Sequence, residues 1–263
     1  MQFAFDLISD LHVETWDSFD WTGQATSPYC VVAGDVARDR QRLLDTLEHL
    51  GQCYPGGVFY MDGNEEHKDY LDDLEASYRD LNKDLKHIKN VVYMQNNVII
   101  INGVALLGTN GWWTYDFDPS MDVESSVQAI QDHYGTDNAS AMNITGVAYN
   151  DAAYMINSVH KLQTHKEVGA IVMVSHTVPA PWLISHDPDL VGNWRYNGMG
   201  NSHISRAIDK DTENKIRAWC FGHYHRPVNQ ELGDIRYYNN PRGRGKTPWG
   251  QQAYYPQRIV IEI

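Results

Sequence analysis

Three cysteines in 263 residues, with no C-x-x-C spacing among Cys30, Cys53 and Cys220, give no basis for a disulfide framework. Cys30 and Cys220 lie inside apolar runs, where a buried free thiol is the expected state. Basic residues are also in deficit: 21 Lys and Arg against 34 Asp and Glu leave a formal charge of −13. That balance argues against tight sequence-independent binding to nucleic acid or anionic membranes, both of which need a basic surface. It leaves room for a small phosphorylated substrate wherever bound cations reverse the local field. No apolar run approaches the ~18 residues of a membrane-spanning helix. Internal repeats, low-complexity tracts and linker-like stretches are missing too, so one domain over residues 1–263 is expected. The sequence opens on a strand-like segment with no basic and apolar leader, and a cytoplasmic location is expected.

What is present is the ordinary composition of a globular protein, 42% hydrophobic and 21% charged. Phe3 to Ile8 is a short apolar strand that runs into Asp10-Leu11-His12, and Tyr29 to Ala33 is a second that runs into Gly34-Asp35. Leu43, Leu44, Leu47 and Leu50 mark an amphipathic helix closed by Gly51. Gly57 to Met61 is a third strand, followed by Asp62-Gly63-Asn64-Glu65-Glu66-His67, and helical spacing resumes from Tyr70 to Leu85. Strands and helices alternate, and polar residues gather where strands end, which is the α/β pattern that collects functional groups at one sheet edge. Val91 to Met94, Val98 to Ile101 and Val104 to Leu107 are spaced as a small antiparallel meander.

From Gly108-Thr109-Asn110-Gly111-Trp112-Trp113 to about Asn143 the chain is aromatic and acidic, an insertion around 109–143. It reads equally as a surface excursion anchored by buried tryptophans and as a substrate-facing lid. A helical stripe follows from Tyr149 to His160, then a very apolar strand, Ala170 to Val174, ending at Ser175-His176. Residues 179–201 are rich in Pro, Trp, Gly and Asn and read as irregular. Ile216 to Cys220 leads into Gly222-His223-Tyr224-His225, a hairpin through Gly233-Asp234, and a terminal strand from Arg258 to Ile263.

In an extended segment residues i and i+2 point the same way. Asp10 and His12 therefore present a carboxylate and an imidazole to one spot, and His223 and His225 present two imidazoles. With Asp35, Asn64 and His176 from the other strand ends they make seven candidate ligands. The mixture of carboxylate, amide and imidazole suits Mn, Fe, Zn, Co or Ni and is poor for calcium. Seven ligands exceed one ion's needs and fit two divalent ions that share a carboxylate, roughly 3.5–4 Å apart, the arrangement that activates water and clamps a phosphoryl group.

The blocks Asp10-x-His12, Gly34-Asp35, Gly63-Asn64-Glu65-Glu66, Ser175-His176 and Gly222-His223-x-His225 come in the order of the D-x-H, G-D, G-N-H-[DE], strand-end H and G-H-x-H blocks of the calcineurin-like metallophosphoesterases, and the chain resembles that family over nearly its full length. Gly108 to Trp112 and Asn240 to Gly243 resemble a branch of small phosphohydrolases within it. The resemblance implies an α/β fold, a four-layer α/β/β/α sandwich with two mixed β-sheets. It assigns Asp10, His12 and His225 to one metal, Asn64, His176 and His223 to the other, and Asp35 as the bridge. A metal-bridging hydroxide would attack phosphorus in line, hydrolysing a phosphomonoester or phosphodiester of a small phosphorylated or nucleotide substrate.

The departure is in the third block, where the family's usual histidine, which contacts phosphate and protonates the leaving group, is Glu65. Glu65 with a raised pKa, or His67 two residues on, would then be the catalytic acid. Trp112, Arg195, His203 and Arg242 lie in segments that would rim the site. Two other readings are a binding module that keeps the sandwich without turnover, favoured by Glu65 alone, and a nuclease of the same chemistry, which the acidic balance disfavours. No membrane partner is expected, and the oligomeric state is open.

Overall fold

The structure is a computed structural model that describes residues 2–263. The apolar runs form two sheets. In the first, β1 (Gln2–Ile8), β2 (Tyr29–Ala33), β3 (Gly57–Met61) and β4 (Val91–Tyr93) are parallel neighbours in that order, and β11 (Gln257–Glu262) closes the far edge antiparallel to β1. The second runs β5 (Asn97–Ile101), β6 (Val104–Gly108), β7 (Ala170–Val174), β8 (Ile216–Phe221), β10 (Ile235–Asn239), β9 (Val228–Leu232). Its outer pairs β5–β6 and β10–β9 are antiparallel, and its inner pairs are parallel. Both sheets are therefore mixed.

The period-2 alternation of each strand decides what lies between the sheets. Phe3, Phe5, Leu7, Val31, Ala33, Phe59 and Met61 of the first sheet meet Val104, Leu106, Val172, Val174, Ala218 and Cys220 of the second in one buried cluster. The opposite faces are covered by helices. Ile8, Cys30, Val32, Val58 and Tyr60 pack on Leu43, Leu47 and Leu50 of α1 (Arg40–Cys53) and on Leu81 and Leu85 of α2 (Leu74–Leu85). Leu107, Ile171, Met173, Trp219 and Phe221 pack on Ala152, Met155, Val159 and Leu162 of α4 (Asn138–Gln163). The result is the four-layer α/β/β/α sandwich. Cys30 and Cys220 are buried free thiols within it.

Among the described residues, each of the four α-helices is started by an aspartate. Asp39, Asp73, Asp122 and Asp137 each accept from a backbone N–H three residues on, one of the donors a helix start leaves unpaired. Residues 109–143 hold α3 (Val123–Tyr134) and the first turns of α4, while Trp112 and Trp113 are fully buried beside Ile130 and Ile144. No helix among the described residues is long and apolar enough to cross a membrane.

The meander expected over 91–107 does not form. β4 joins the first sheet beside β3, and only β5–β6 is a hairpin, in the second sheet. The break is at Asn96, whose φ of 48° turns the chain from one sheet to the other. The β5–β6 turn is Asn102-Gly103 with φ of 50° and 83°, the positive pair that a two-residue hairpin needs.

Candidate metal centre

The parallel strands β1, β2, β3, β7 and β8 deliver their carboxyl ends to one edge of the sandwich, and the seven candidate ligands follow those ends. The backbone there is bent against its preference. Asp10, His12, Asp35 and His223 have φ of 50°, 41°, 53° and 64°, a left-handed region that non-glycine residues rarely occupy. Strain of this kind persists where surrounding structure holds it, and it gathers at functional sites. The glycines of the motifs make room for the ligands. A Cβ on Gly63 would stand 2.1 Å from Asp35 Oδ1, and one on Gly34 would stand 2.2 Å from His176 Nδ1.

Two ligand groups result, Asp10, His12, Asp35 and His225 in one and Asp35, His176 and His223 in the other, each with its donor atoms within 4.8 Å of one another. Asp35 belongs to both. His12 Nε2 is 3.0 Å from His225 Nε2 and 3.7 Å from Asp35 Oδ2. His225 Nε2 is 3.5 Å from Asp10 Oδ1. On the other side, His176 Nε2 is 3.4 Å from Asp35 Oδ1 and 3.1 Å from Asn64 Oδ1. Backbone carbonyls set the ring orientations: His176 Nδ1 donates to Ala33 O at 2.9 Å, and His223 Nε2 donates to Gly198 O at 3.0 Å. The other nitrogen of each ring is the one left to face a metal ion. His223 also stacks on Trp113, 5.8 Å between centroids.

The electrostatics describe a site short of positive charge. Burial, then the carboxylates of Glu65 and Asp10, push Asp35 well above the usual carboxylate range. Burial acts on Asp10 in the same sense, but the hydrogen bond and charge of His225, with His176 and His12 beyond, hold it well below that range. The two differ because Asp10 is ringed by imidazoles, whereas Asp35 lies between carboxylates. Burial and then His225 keep His12 well below its ordinary value, and burial and then His176 bring His223 down to about 3. Neutral imidazoles are the form that binds metal. Asp10 Oδ2 is buried without a hydrogen-bond partner. A shared carboxylate held against its charge, an orphaned carboxylate oxygen and inward imidazole nitrogens are a donor set that divalent transition ions fit.

Above this centre lies a cleft of ≈ 770 Å³ whose wall includes Asp35, Asn64, His223 and His225. Its cations, Lys68, Arg195, Arg226 and Arg244, stand out in a chain so acidic. Arg226 is tied to Asp187 at 3.1 Å and lies 3.9 Å over the Trp249 ring. His133 and Tyr134, from the end of α3, complete one side. A recess of ≈ 800 Å³ between Arg38, Ser77 and Asp84 contains none of the seven ligands.

Of the remaining sequence candidates, Glu65 and Arg195 line the cleft. His67 does not reach it. It is fully buried, with Nε2 2.8 Å from Asp62 Oδ2 and Nδ1 2.7 Å from Ser77 Oγ, so both nitrogens are engaged away from the centre. Trp112 is buried under α2 and donates to Tyr78. His203 pairs with Asp116 at 3.3 Å, and Arg242 lies 4.3 Å from Trp16 in a separate recess. Lys68, Arg226, Arg244 and Trp249 are cleft residues that the motif reading passed over. The one local signal was Gly243-Arg244-Gly245, an arginine between two glycines. Glu66 was also missed: its carboxylate accepts from Val36 N at 2.6 Å and Gly63 N at 2.8 Å, clamping the Asp35 and Asn64 loops together.

No family model matches the sequence, and no curated protein matches it. Solved structures do match. The phosphopantetheinyl hydrolase of Mycobacterium tuberculosis has a TM-score of 0.70 at 16% identity, over 97% of this chain and 95% of its own. A Staphylococcus aureus protein that carries the name of a 5′-nucleotidase has a TM-score of 0.50 at 14% identity, and this chain spans 51% of its length. At these identities the likeness is one of fold, a metallophosphoesterase-like sandwich.

Proposed function

We propose that this chain is a metal-dependent phosphoesterase working through two divalent transition ions. Asp10, His12 and His225 would hold one, Asn64, His176 and His223 the other, with Asp35 common to both. The observation that carries this reading is Asp35, a single buried carboxylate that serves both ligand groups. Ions of the Mn, Fe, Zn, Co or Ni kind, when bound, supply Lewis acidity toward phosphoryl oxygens and a water of lowered pKa.

The protein's own part is to bind, orient and hold. The Ala33 and Gly198 carbonyls fix which imidazole nitrogens face the centre, and the Glu65 N–H at 3.0 Å holds Asp35 Oδ1 in place. Lys68, Arg195 and Arg244 offer positive groups to an anion on a wall that also carries Asp35, Glu65, Asp187 and Asp189, and bound cations would add to them. The cleft's size suits a small phosphorylated or nucleotide substrate, with the Trp249–Arg226 pair available to a planar group. Two solved structures of the same fold carry names of hydrolases of phosphorylated compounds, which supports the reaction class.

The test is hydrolysis of an aryl phosphodiester and an aryl phosphomonoester by Mn²⁺-loaded protein. Turnover that EDTA removes, and that Asp35→Asn lowers by at least about 100-fold, more than loss of a supporting contact would cause, is the expected result. An Asp35→Asn protein with undiminished turnover would remove the basis of the proposal. The diester-to-monoester ratio assigns the substrate class.

A further inference from the structure

Glu65 stands where the resemblance calls for an acid, and its surroundings describe a different role. Its side chain is 5% exposed, and its Oε1 meets Arg244 Nη2 at 2.7 Å and Lys68 Nζ at 3.6 Å. A buried carboxylate that accepts from a guanidinium and lies beside an ammonium is held as an anchor for cations. Arg244, by contrast, keeps its side chain 37% exposed on the cleft wall.

The backbone that carries Arg244 is fastened to the metal centre. Gly243 N donates to Asp10 O at 2.9 Å; Gly245 N donates to Thr15 Oγ1 at 2.9 Å, and Thr15 Oγ1 donates to His12 O at 2.8 Å. The two glycines that flank Arg244 let the loop seat this closely. A Cβ on Gly245 would fall 2.3 Å from Thr15 O, and one on Gly243, at φ 74°, would fall 2.8 Å from Trp249 O. Both ends of the Asp10–His12 segment therefore set where Arg244 sits, and Glu65, adjacent to Asn64, sets where its guanidinium points. A fixed cation beside the place where charge develops is what electrostatic catalysis requires.

Resting on the phosphoesterase reading above, we propose that Arg244 is a catalytic residue, contacting the phosphoryl oxygens and the leaving-group oxygen, and that Glu65 is a positioning residue that aims it. As water oxygen bonds to phosphorus, the P–O bond to the leaving group breaks and its electron pair stays on the departing oxygen. Arg244 offsets that charge. The departing oxygen takes its proton from solvent, and the attacking water gives its proton to solvent. A guanidinium keeps its protons through the neutral range, so it stabilises the leaving group without acting as an acid. The enzyme is accordingly one for activated or intrinsically good leaving groups, with rates that fall steeply as the leaving group becomes more basic.

The experiment compares Mn²⁺-loaded wild type, Arg244→Ala, Arg244→Lys, Glu65→Gln and the Arg244→Ala/Glu65→Gln double variant on a series of substituted aryl phosphates, and measures inorganic phosphate binding by calorimetry. Arg244→Ala is expected to lower kcat by about 10²–10³-fold, the usual effect of removing one charge-stabilising donor. It should also weaken phosphate binding and steepen the dependence on leaving-group basicity. Arg244→Lys keeps the charge without the fork and should lose less. Glu65→Gln should lower kcat clearly more in the wild-type background than in the Arg244→Ala background, where only its effects on Lys68 and Asp35 remain. Wild-type turnover with Arg244→Ala and Arg244→Lys unchanged in kcat and phosphate affinity overturns this inference and leaves the phosphoesterase reading standing. A wild type that binds Mn²⁺ and hydrolyses none of the esters overturns both.

Discussion

Glu66 gives the sharpest test of how the centre is held together. Its carboxylate is 5% exposed and accepts two backbone hydrogen bonds, from Val36 N at 2.6 Å and Gly63 N at 2.8 Å. Val36 follows Asp35 and Gly63 precedes Asn64, so one side chain ties together the loops after β2 and β3. Burial, and then the neighbouring Asp35 carboxylate, push its carboxyl up to about 8, which shows how costly its charge is in that place. Glu66→Ala leaves two buried N–H groups without acceptors. At about 1–3 kcal/mol for each unsatisfied donor, the loss is about 2–6 kcal/mol, a large share of a domain's stability. Glu66→Gln keeps one acceptor and turns an amide NH₂ toward the second donor, so it recovers at most half. Urea unfolding of EDTA-treated protein reads the stability, and Mn²⁺ titration reads the site, where a 10–100-fold loss of affinity is expected, about that of losing a supporting contact. Stability within about 0.5 kcal/mol of wild type, with Mn²⁺ affinity unchanged, would refute the clamp.

Two further predictions follow from the same geometry. His12 is fully buried with its imidazole held well below the ordinary value by burial and then His225, so the unfolded chain takes up a proton near pH 6.5 that the folded chain does not. Below that pH the residue therefore costs stability, and above it the cost vanishes. Relative to His12→Asn, metal-free wild type should lose about 2 kcal/mol between pH 7.5 and pH 5, read by urea midpoints at the two values; a pH-independent difference would contradict it. Gly63→Ala places a Cβ 2.1 Å from Asp35 Oδ1, so Asp35 must move. It should lower stability by about 1–3 kcal/mol and abolish tight Mn²⁺ binding, and wild-type binding in that variant would show the cradle to be slack.

The site was legible in the sequence because parallel strands end together. Asp10, Asp35, Asn64, His176 and His223 each follow an apolar run, so a strand-by-strand reading places them at one edge without any knowledge of packing. The alternation of Phe3, Phe5 and Leu7 against Ile8 likewise carries the two faces of the first sheet. Three things were hidden, each for a physical reason. The division of strands between sheets turns on one residue, Asn96, whose positive φ leaves no trace in hydrophobic periodicity. The first turns of α4 pack Ala141, Ile144, Val147 and Ala148 on Trp112 and Trp113 rather than on the second sheet, so the helix begins inside the stretch that reads as an insertion. Arg244 and Trp249 come from an irregular segment that owes its course to backbone bonds with Asp10, Thr15 and Arg242 rather than to any pattern of its own. His67 shows the reverse problem: two residues past Glu65 it reads as a substitute acid, but its ring turns inward to Asp62 and Ser77.

In the proposed centre one carboxylate, Asp35, joins two ion sites. The measurement that addresses it most directly is a Mn²⁺ titration followed by electron paramagnetic resonance, on wild type and on Asp35→Asn. Two Mn²⁺ per chain are expected in the wild type, with the broadened signal of an exchange-coupled pair, and loss of that coupling, with weaker binding, in Asp35→Asn. A wild type that takes up a single uncoupled ion, or a coupled pair that survives Asp35→Asn unchanged, would contradict it.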